Sequence, residues 1–457
     1  MSSEVSARLR RITSIEVRGL FGQYDFDLPE QKGDLGDTVL GETVILYGDN
    51  GCGKTTLLKI LYHLLSAAND RGHRSALHGL PFQSIKIILS DSTEVRAERV
   101  DGDLKSDLKL SIGYPKEGKE EISGLYSPRK GSAPGQVWSE PFQAKYISAL
   151  KGLDLTLYYL ADDRELFSDS LQRNSQPDAK RHRFSMERML QLPTVTFGDV
   201  VITERPENAL PQTLTTTHEW IRKQVIRASN LGAESANTVY LTILKRVAAS
   251  KAATDAPSSR KTLESALKEL SLQSRDFARF GFTPSLELDS MTTMLASADS
   301  RQQETMVAIL EPYIDGVVAR QESMAAIKTA TAKLVDELND YFSNGKRVEF
   351  DVSTGFTFVD AQRRELSPEW LSSGEQHLVR LFCCTLISRE SPSVFLVDEP
   401  ELSLNIKWQR RLLKTLSSLA DESTNQFIFA THSMEILSQH RSCVVPLVHN
   451  PTSEPSR

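Results

Sequence analysis

Cysteine is scarce in this 457-residue chain: Cys52, Cys383, Cys384 and Cys443 are all there is, and no pair of them has CxxC spacing. That argues against a zinc site or a disulfide framework and fits a reducing compartment. Long apolar runs are missing as well. No uncharged stretch approaches the ~20 residues that cross a bilayer, and the N-terminal MSSEVSARLRRITSIEV has no apolar h-region, so a cytoplasmic protein with no membrane association is expected. Nor is there a surplus of positive charge. With 54 basic against 60 acidic residues and a net charge of −6, no global field draws the chain onto nucleic acid, and such a contact would need a local patch.

What is present suits a globular α/β protein: 39% hydrophobic and 25% charged residues, enough for two or three domains with a sizeable core. RITSIEV and YDFDL alternate like two short strands joined at Gly19 to Gly22. TVILYG (43–48) is a β-branched run ending in glycine, which predicts a buried parallel strand feeding a glycine-rich turn and an apolar helix, TTLLKILYHLLSAA. IKIIL, EVRAERV and LKLSIGY predict further strands, 115–141 reads as a loop rich in Gly, Pro, Ser and Lys, and LDLTLYYLADDR returns to a buried strand. The polar text from about 168 to 215 gives no assignment.

Helix-forming text dominates 216–343. Its last run places Ile327, Ala330, Leu334, Leu338 and Phe342 at spacings of three to four, one face for packing and one for water. The α/β pattern resumes at RVEFDV and FTFV and continues through helix 375–388, strand SVFLVDEP, helix IKWQRRLLKTLSSLA, strand QFIFATHS and strand VVPLV. This order predicts an α/β mixed sheet with flanking helices, split by a mainly helical arm: 1–165 and 346–457 form the two halves of one head, and 166–345 is the insert.

Chemistry concentrates at a few points. Gly48-Asp49-Asn50-Gly51-Cys52-Gly53-Lys54-Thr55 fits G-x4-G-K-[ST] between a predicted strand and helix, with Thr56 following. Glycines there let backbone N–H groups face phosphates, the lysine reaches the β/γ-phosphates, and the threonine hydroxyl binds Mg²⁺. The expected ligands are therefore ATP and Mg²⁺. Val394 to Val397 precede Asp398 and Glu399, a buried strand delivering two carboxylates at its tip, where α/β sheets bind ligands. Asp398 is expected in the Mg²⁺ shell and Glu399 as general base toward water. Leu371-Ser372-Ser373-Gly374-Glu375-Gln376 stands just before a helix, so that a hydroxyl, a glycine N–H and a helix N-terminus form an anion cradle.

At this point the sequence resembles the ABC ATPase superfamily, whose signature LSGGQ or LSGGE closes on the γ-phosphate held by the P-loop of a second subunit. Ser373 departs from it, where glycine is usual. The resemblance implies ABC-type hydrolysis in a homodimer or higher homo-oligomer through ATP-sandwiched heads. It also places Glu401-Leu402-Ser403-Leu404-Asn405 as the D-loop, with Asn405 where aspartate is common, and His432 as the switch histidine at the γ-phosphate. Asp163 and Arg164 stand near the Q-loop position, where no glutamine occurs.

The long stretch between Lys54 and Asp398 exceeds what a transporter ATPase holds between these motifs, and DEPELSLNIKWQRRLL resembles the SMC/RecF/OLD branch. The short tail after His432 leaves no room for the Toprim nuclease of OLD proteins. The chain is thus similar to the nuclease-less ATPase subunits of bacterial anti-phage systems such as PARIS and Septu and the retron-associated ATPases. That implies a separate effector nuclease of Toprim or HNH type and a phage protein as trigger. The alternative is a RecF- or SMC-like ATPase that binds DNA in repair or maintenance; a transporter subunit is more distant.

Other features carry blander readings. Lys180 to Arg183 is the densest basic cluster, but without interleaved aromatics it reads as a solvated loop. Cys52 reads as a small residue that fits its loop. Arg410 and Arg411 read as a wet helix face, and Trp408 as a packing anchor.

Overall fold

The computed structural model describes residues 10–29, 39–69, 71–116, 118–128, 140–161, 166–168, 196–197, 200–201, 209–249, 256–283, 300–342, 345–420 and 425–447, with single positions between 290 and 297. By its internal contacts the chain divides into two units, Met1–Ala209 with Ile387–Arg457, and Leu210–Leu386.

In the first unit two sheets share one core. The antiparallel sheet runs in the order β2-β1-β4-β5-β6-β7, built from β1 (Ile12–Leu20), β2 (Tyr24–Leu28), β4 (Ser84–Leu89), β5 (Glu94–Arg99), β6 (Leu108–Tyr114) and β7 (Lys119–Tyr126). Its strands bury alternate residues: in β4, Ile85, Ile87 and Leu89 face inward while Ser84, Lys86 and Ile88 are half-buried. This is the period-two pattern of a sheet with one covered face. The second sheet, in the order β17-β3-β16-β15-β8-β9, joins β3 (Thr43–Tyr47), β8 (Thr156–Leu160), β15 (Ser393–Asp398), β16 (Asn425–Ala430) and β17 (Val444–Pro446) in parallel, with β9 (Leu166–Ser168) antiparallel at its edge. Every residue of β15 and β16 is buried, the signature of a parallel strand covered on both faces.

Helix α1 (Lys54–Leu65) packs on β8, β15 and β16 and also reaches β5. That double contact explains why it buries Leu57, Leu58, Ile60, Leu61, Leu64 and Leu65 rather than a single stripe. Gln426 on β16 is buried and ties the two sheets by side-chain bonds: Ile12 N–H donates to it at 2.8 Å, and its amide donates to Ile12 O at 2.7 Å and Gly41 O at 2.9 Å. The unit is completed by α2 (His73–Gly79), α3 (Glu140–Gly152) and the short hairpin of β10 (Thr196–Phe197) with β11 (Val200–Val201).

The second unit contains α4 (Ala209–Ala249, its first residue assigned to the other unit), α5 (Ala256–Ala278) and α6 (Ser300–Tyr341), then β12 (Arg347–Asp351), β13 (Gly355–Val359), β14 (Glu365–Leu366) and α7 (Ser373–Ile387, its last residue assigned to the other unit). Helix α6 has 42 residues, about 63 Å of rise, and starts earlier than its apolar spacing suggested because it runs through Pro312. Ile327, Ala330, Leu334, Leu338 and Phe342 are all at most 9% exposed, so the predicted face is the packed one. Leu267 and Leu270 of α5 meet Ile314 of α6, and Gln321 donates to Ser274 Oγ at 2.8 Å beside them.

Two features differ from the sequence expectation. The segment 115–141 is not all loop: Lys119–Tyr126 pairs with β6, and its alternation was hidden by charged residues on an exposed edge strand. Helix α3 begins at its end, where the preceding Gly, Pro and Ser masked the start. Among the described residues, no helix is long and apolar enough to cross a membrane.

Candidate functional site

Strand β3 lies between β16 and the edge strand β17 of the parallel sheet and turns at Gly48 into α1. Gly51 (φ +83°) and Gly53 (φ +98°) take left-handed backbone, which glycine adopts without a Cβ penalty. At Gly53 a Cβ would also lie 2.5 Å from Leu20 Cδ2 and 3.1 Å from Phe21 Cε2, so glycine is what lets the β1–β2 turn lie against the loop. Leu20 and Phe21 were not singled out from the sequence, which offers no signal for that contact. The first helical bond runs from Leu57 N to Gly53 O, and no side chain caps the helix. The N–H groups ahead of it, at the positive end of the helix dipole, suit an anion.

Lys54 is buried, and its ammonium donates to Gly48 O at 2.9 Å and Asp49 O at 3.2 Å. Cys52 packs inside the same arch, its sulfur 4.0 Å from Lys54 Nζ, while Asn50 and Gly51 face solvent and Thr55 and Thr56 are half-buried on the first turn of α1. Thr55 Oγ1 donates to Asp398 Oδ1 at 3.1 Å, joining the P-loop to the tip of β15. Asp398 is 1% exposed.

Immediately after it, Glu399 sits at φ +45°, a left-handed conformation uncommon for a side-chain-bearing residue, with its N–H donating to Ala430 O at 2.8 Å. Its carboxyl is pushed up to about 8, first by burial, then by hydrogen bonding to and repulsion from Glu401, then by Asp398; Lys54 acts in the opposite sense. His432 Nε2 lies 3.5 Å from Glu399 Oε1, and its imidazole is held below its ordinary value by burial and by Lys54, against the pull of Glu401. Both shifts run against ionisation, the acid raised and the base lowered, so burial disfavours charge on either side of this contact. Glu401 faces the histidine loop, where its Oε1 accepts from His432 N at 2.9 Å.

Asn405 serves a local purpose: its side chain caps α8 (Ile406–Leu419) by accepting from Trp408 N at 3.0 Å. Arg410 and Arg411 are exposed on α8, and Arg410 pairs with Glu435 of α9 (Met434–Gln439) at 2.8 Å. Trp408 is half-buried. Asp163, Arg164 and the cluster 180–183 lie outside the described residues.

In the second unit, Ser372 and Ser373 are exposed at the start of α7 and Gly374 is buried. Ser372 and Glu375 form a capping box: Ser372 N donates to Glu375 Oε2 at 2.7 Å, and Glu375 N donates to Ser372 Oγ at 3.3 Å. Lys346 donates to the same carboxylate at 2.8 Å, a partner with no motif to announce it. The serine hydroxyl of this turn thus has a structural duty, and Gln376 fastens the turn further by donating to Leu371 O at 3.0 Å.

Residues 266–438 match the family described as "AAA domain, putative AbiEii toxin, Type IV TA system", and residues 37–96 match "ABC transporter". No curated protein matches the chain. Among solved structures it is similar to the Smc head domain with an extended coiled coil bound to the C-terminal domain of ScpA, derived from Pyrococcus furiosus (12% identity, 94% of this chain and 92% of that chain, TM-score 0.35). It is also similar to the SmcHead bound to the C-winged helix domain of ScpA (10% identity, 94% and 92%, TM-score 0.36). The two family matches fall on the P-loop and on the segment from α5 to α9. With the mixed α/β fold they indicate an ABC-type P-loop ATPase head that binds nucleotide.

Proposed function

We propose that the chain is an ATP-hydrolysing switch subunit of an anti-phage defence complex, in which heads from two or more copies close on ATP to hold an effector nuclease and a phage protein trigger frees it. The observation that carries the hydrolytic part is the meeting of Thr55 and Asp398 at 3.1 Å beside the Glu399–His432 pair. The defence setting is supported by the match of 266–438 to a family described as a putative toxin of a type IV toxin–antitoxin system.

In this reading Gly48, Asn50, Gly51, Gly53, Lys54, Thr55 and Thr56 hold the triphosphate. The Thr55 hydroxyl and Asp398 carboxylate are both oxygen donors, and their adjacency fits a small hard cation that keeps waters and phosphate oxygens as its other ligands. When bound, Mg²⁺ neutralises charge on the β- and γ-phosphates. Glu399 accepts a proton from the attacking water once it is ionised, and His432 orients that water or the γ-phosphate. Ser372, Ser373 and Gly374 of a second copy supply the far wall. The insert 166–345 is the surface offered to the effector, between head halves 1–165 and 346–457.

Purification together with the product of the neighbouring gene tests the defence role: a nuclease or toxin that binds with ATP and leaves on hydrolysis is expected. A protein with no such partner that instead binds duplex DNA with a steep salt dependence is the RecF- or SMC-like alternative.

A further inference from the structure

Three donors from consecutive residues converge on one oxygen of Glu401. Its Oε1 accepts from Thr431 Oγ1 at 2.6 Å, from His432 N at 2.9 Å and from Ser433 N at 2.9 Å. These bonds span two segments that are remote in sequence. Glu401 belongs to the turn after β15, which is folded by Leu402 N to Glu399 O at 3.0 Å and Leu404 N to Glu401 O at 2.9 Å, with Ser403 at φ +65°. Thr431 to Ser433 form the exit from β16. Gln409 of α8 braces the same pair of segments: its amide donates to Leu404 O at 2.9 Å, and its Oε1 accepts from Ser433 Oγ at 2.8 Å. Ser433 in turn caps α9 by accepting from Ile436 N at 3.3 Å.

A third acidic side chain within four residues of Asp398 and Glu399 adds like-charge repulsion, so its presence calls for a structural reason. A cap for α9 does not need it, since Ser433 already provides one. What Glu401 adds is a charged acceptor whose bonds are stronger than neutral ones and which fixes the backbone on both sides of the His432 imidazole.

We propose that Glu401 is a positioning residue: its carboxylate, seconded by Gln409, holds the Thr431–Ser433 loop so that His432 faces Glu399, and it transmits any movement of the 401–405 turn to that histidine. This rests on the reading of Glu399 and His432 as a hydrolytic pair. The geometric half of it does not, and the test separates the two.

The experiment uses the full chain. Backbone hydrogen exchange over 425–439 is followed without nucleotide, binding is followed with a fluorescent ATP analogue, and hydrolysis is followed at steady state. Glu401→Ala is expected to speed exchange at 431–433 by about tenfold or more. It should also lower kcat by about tenfold or more, with analogue affinity held within about twofold, and the Glu401→Ala/His432→Ala pair should be no slower than His432→Ala alone. Glu401→Gln, which keeps the acceptor oxygen but not its charge, recovers part of the protection and of the rate and lies between Glu401→Ala and wild type. Should Glu401→Ala not fold, Gln409→Ala gives the milder form of the same effect, about threefold in exchange and rate. Unchanged exchange in Glu401→Ala, or in Gln409→Ala if it stands in, overturns the proposal, as does a double variant whose losses multiply. A wild-type protein that neither binds nor hydrolyses ATP overturns the hydrolytic reading instead, and the exchange result then decides the loop contact alone.

Discussion

Thr55 donates its hydroxyl to Asp398 at 3.1 Å, so residues far apart in sequence share one bond at the tips of neighbouring elements, α1 and β15. Because hydroxyl and carboxylate oxygens are ligands of a hard cation, hydrolysis should stop on chelation and return with Mg²⁺. Thr55→Val keeps the shape and removes the oxygen. It should raise the Mg²⁺ concentration for half-maximal activity by about tenfold or more, read from a metal titration at saturating ATP.

Glu399→Gln should leave ATP bound and slow hydrolysis by about 10²- to 10⁴-fold, the range for loss of a general base. Lys54→Ala should abolish binding itself. Single-turnover hydrolysis beside equilibrium binding distinguishes them, and a Glu399→Gln protein that turns over at the wild-type rate removes Glu399 from the chemistry.

How far these elements could be read without coordinates depends on how local their causes are. Strands β3, β15 and β16 announce themselves as uninterrupted apolar runs because both their faces are covered, and α1 follows from the glycine loop ahead of it. The face of α6 was legible from Leu334 and Leu338, but its start at Ser300 was not, since Pro312 reads as a stop and tertiary packing carries the helix past it. Strand β7 was hidden because an edge strand with charged exposed positions looks like a loop. At the site, motif order named the segments. The left-handed turn at Glu399, the convergence of 431–433 on Glu401 and the bond from Lys346 to Glu375 all depend on long-range approach that no spacing encodes.

Gln426→Leu should destabilise the first unit by about 2–3 kcal/mol, because Ile12 N–H, Ile12 O and Gly41 O lose their bonds to a buried amide that joins the two sheets. Denaturant unfolding measures this. A loss under about 0.5 kcal/mol would mean that the sheets hold without that tie.

Burial pushes the Glu375 carboxyl up, but bonds from Lys346 and Ser372 outweigh it and hold the group below its ordinary value. A depressed folded pKa contributes stability that is complete above the unfolded value of about 4.3 and is lost as the pH falls through the folded one. Glu375→Gln should therefore cost about 1–3 kcal/mol at pH 7 and little in that acid range. Thermal melts across pH 2.5–7 of both proteins check the sign; parallel curves would contradict it.

In the proposed assembly the P-loop of one copy and the Ser372–Gly374 turn of another grip the same triphosphate. Lys54→Ala disables the first element, and Ser373→Asp, at an exposed position, sets a negative charge in the second. Each protein alone should be inactive. Mixed in equal amounts they form dimers with one intact composite site, so ATPase activity should return to roughly a quarter of the wild-type level. A mixture no more active than its two components would contradict the closure of two copies on shared ATP.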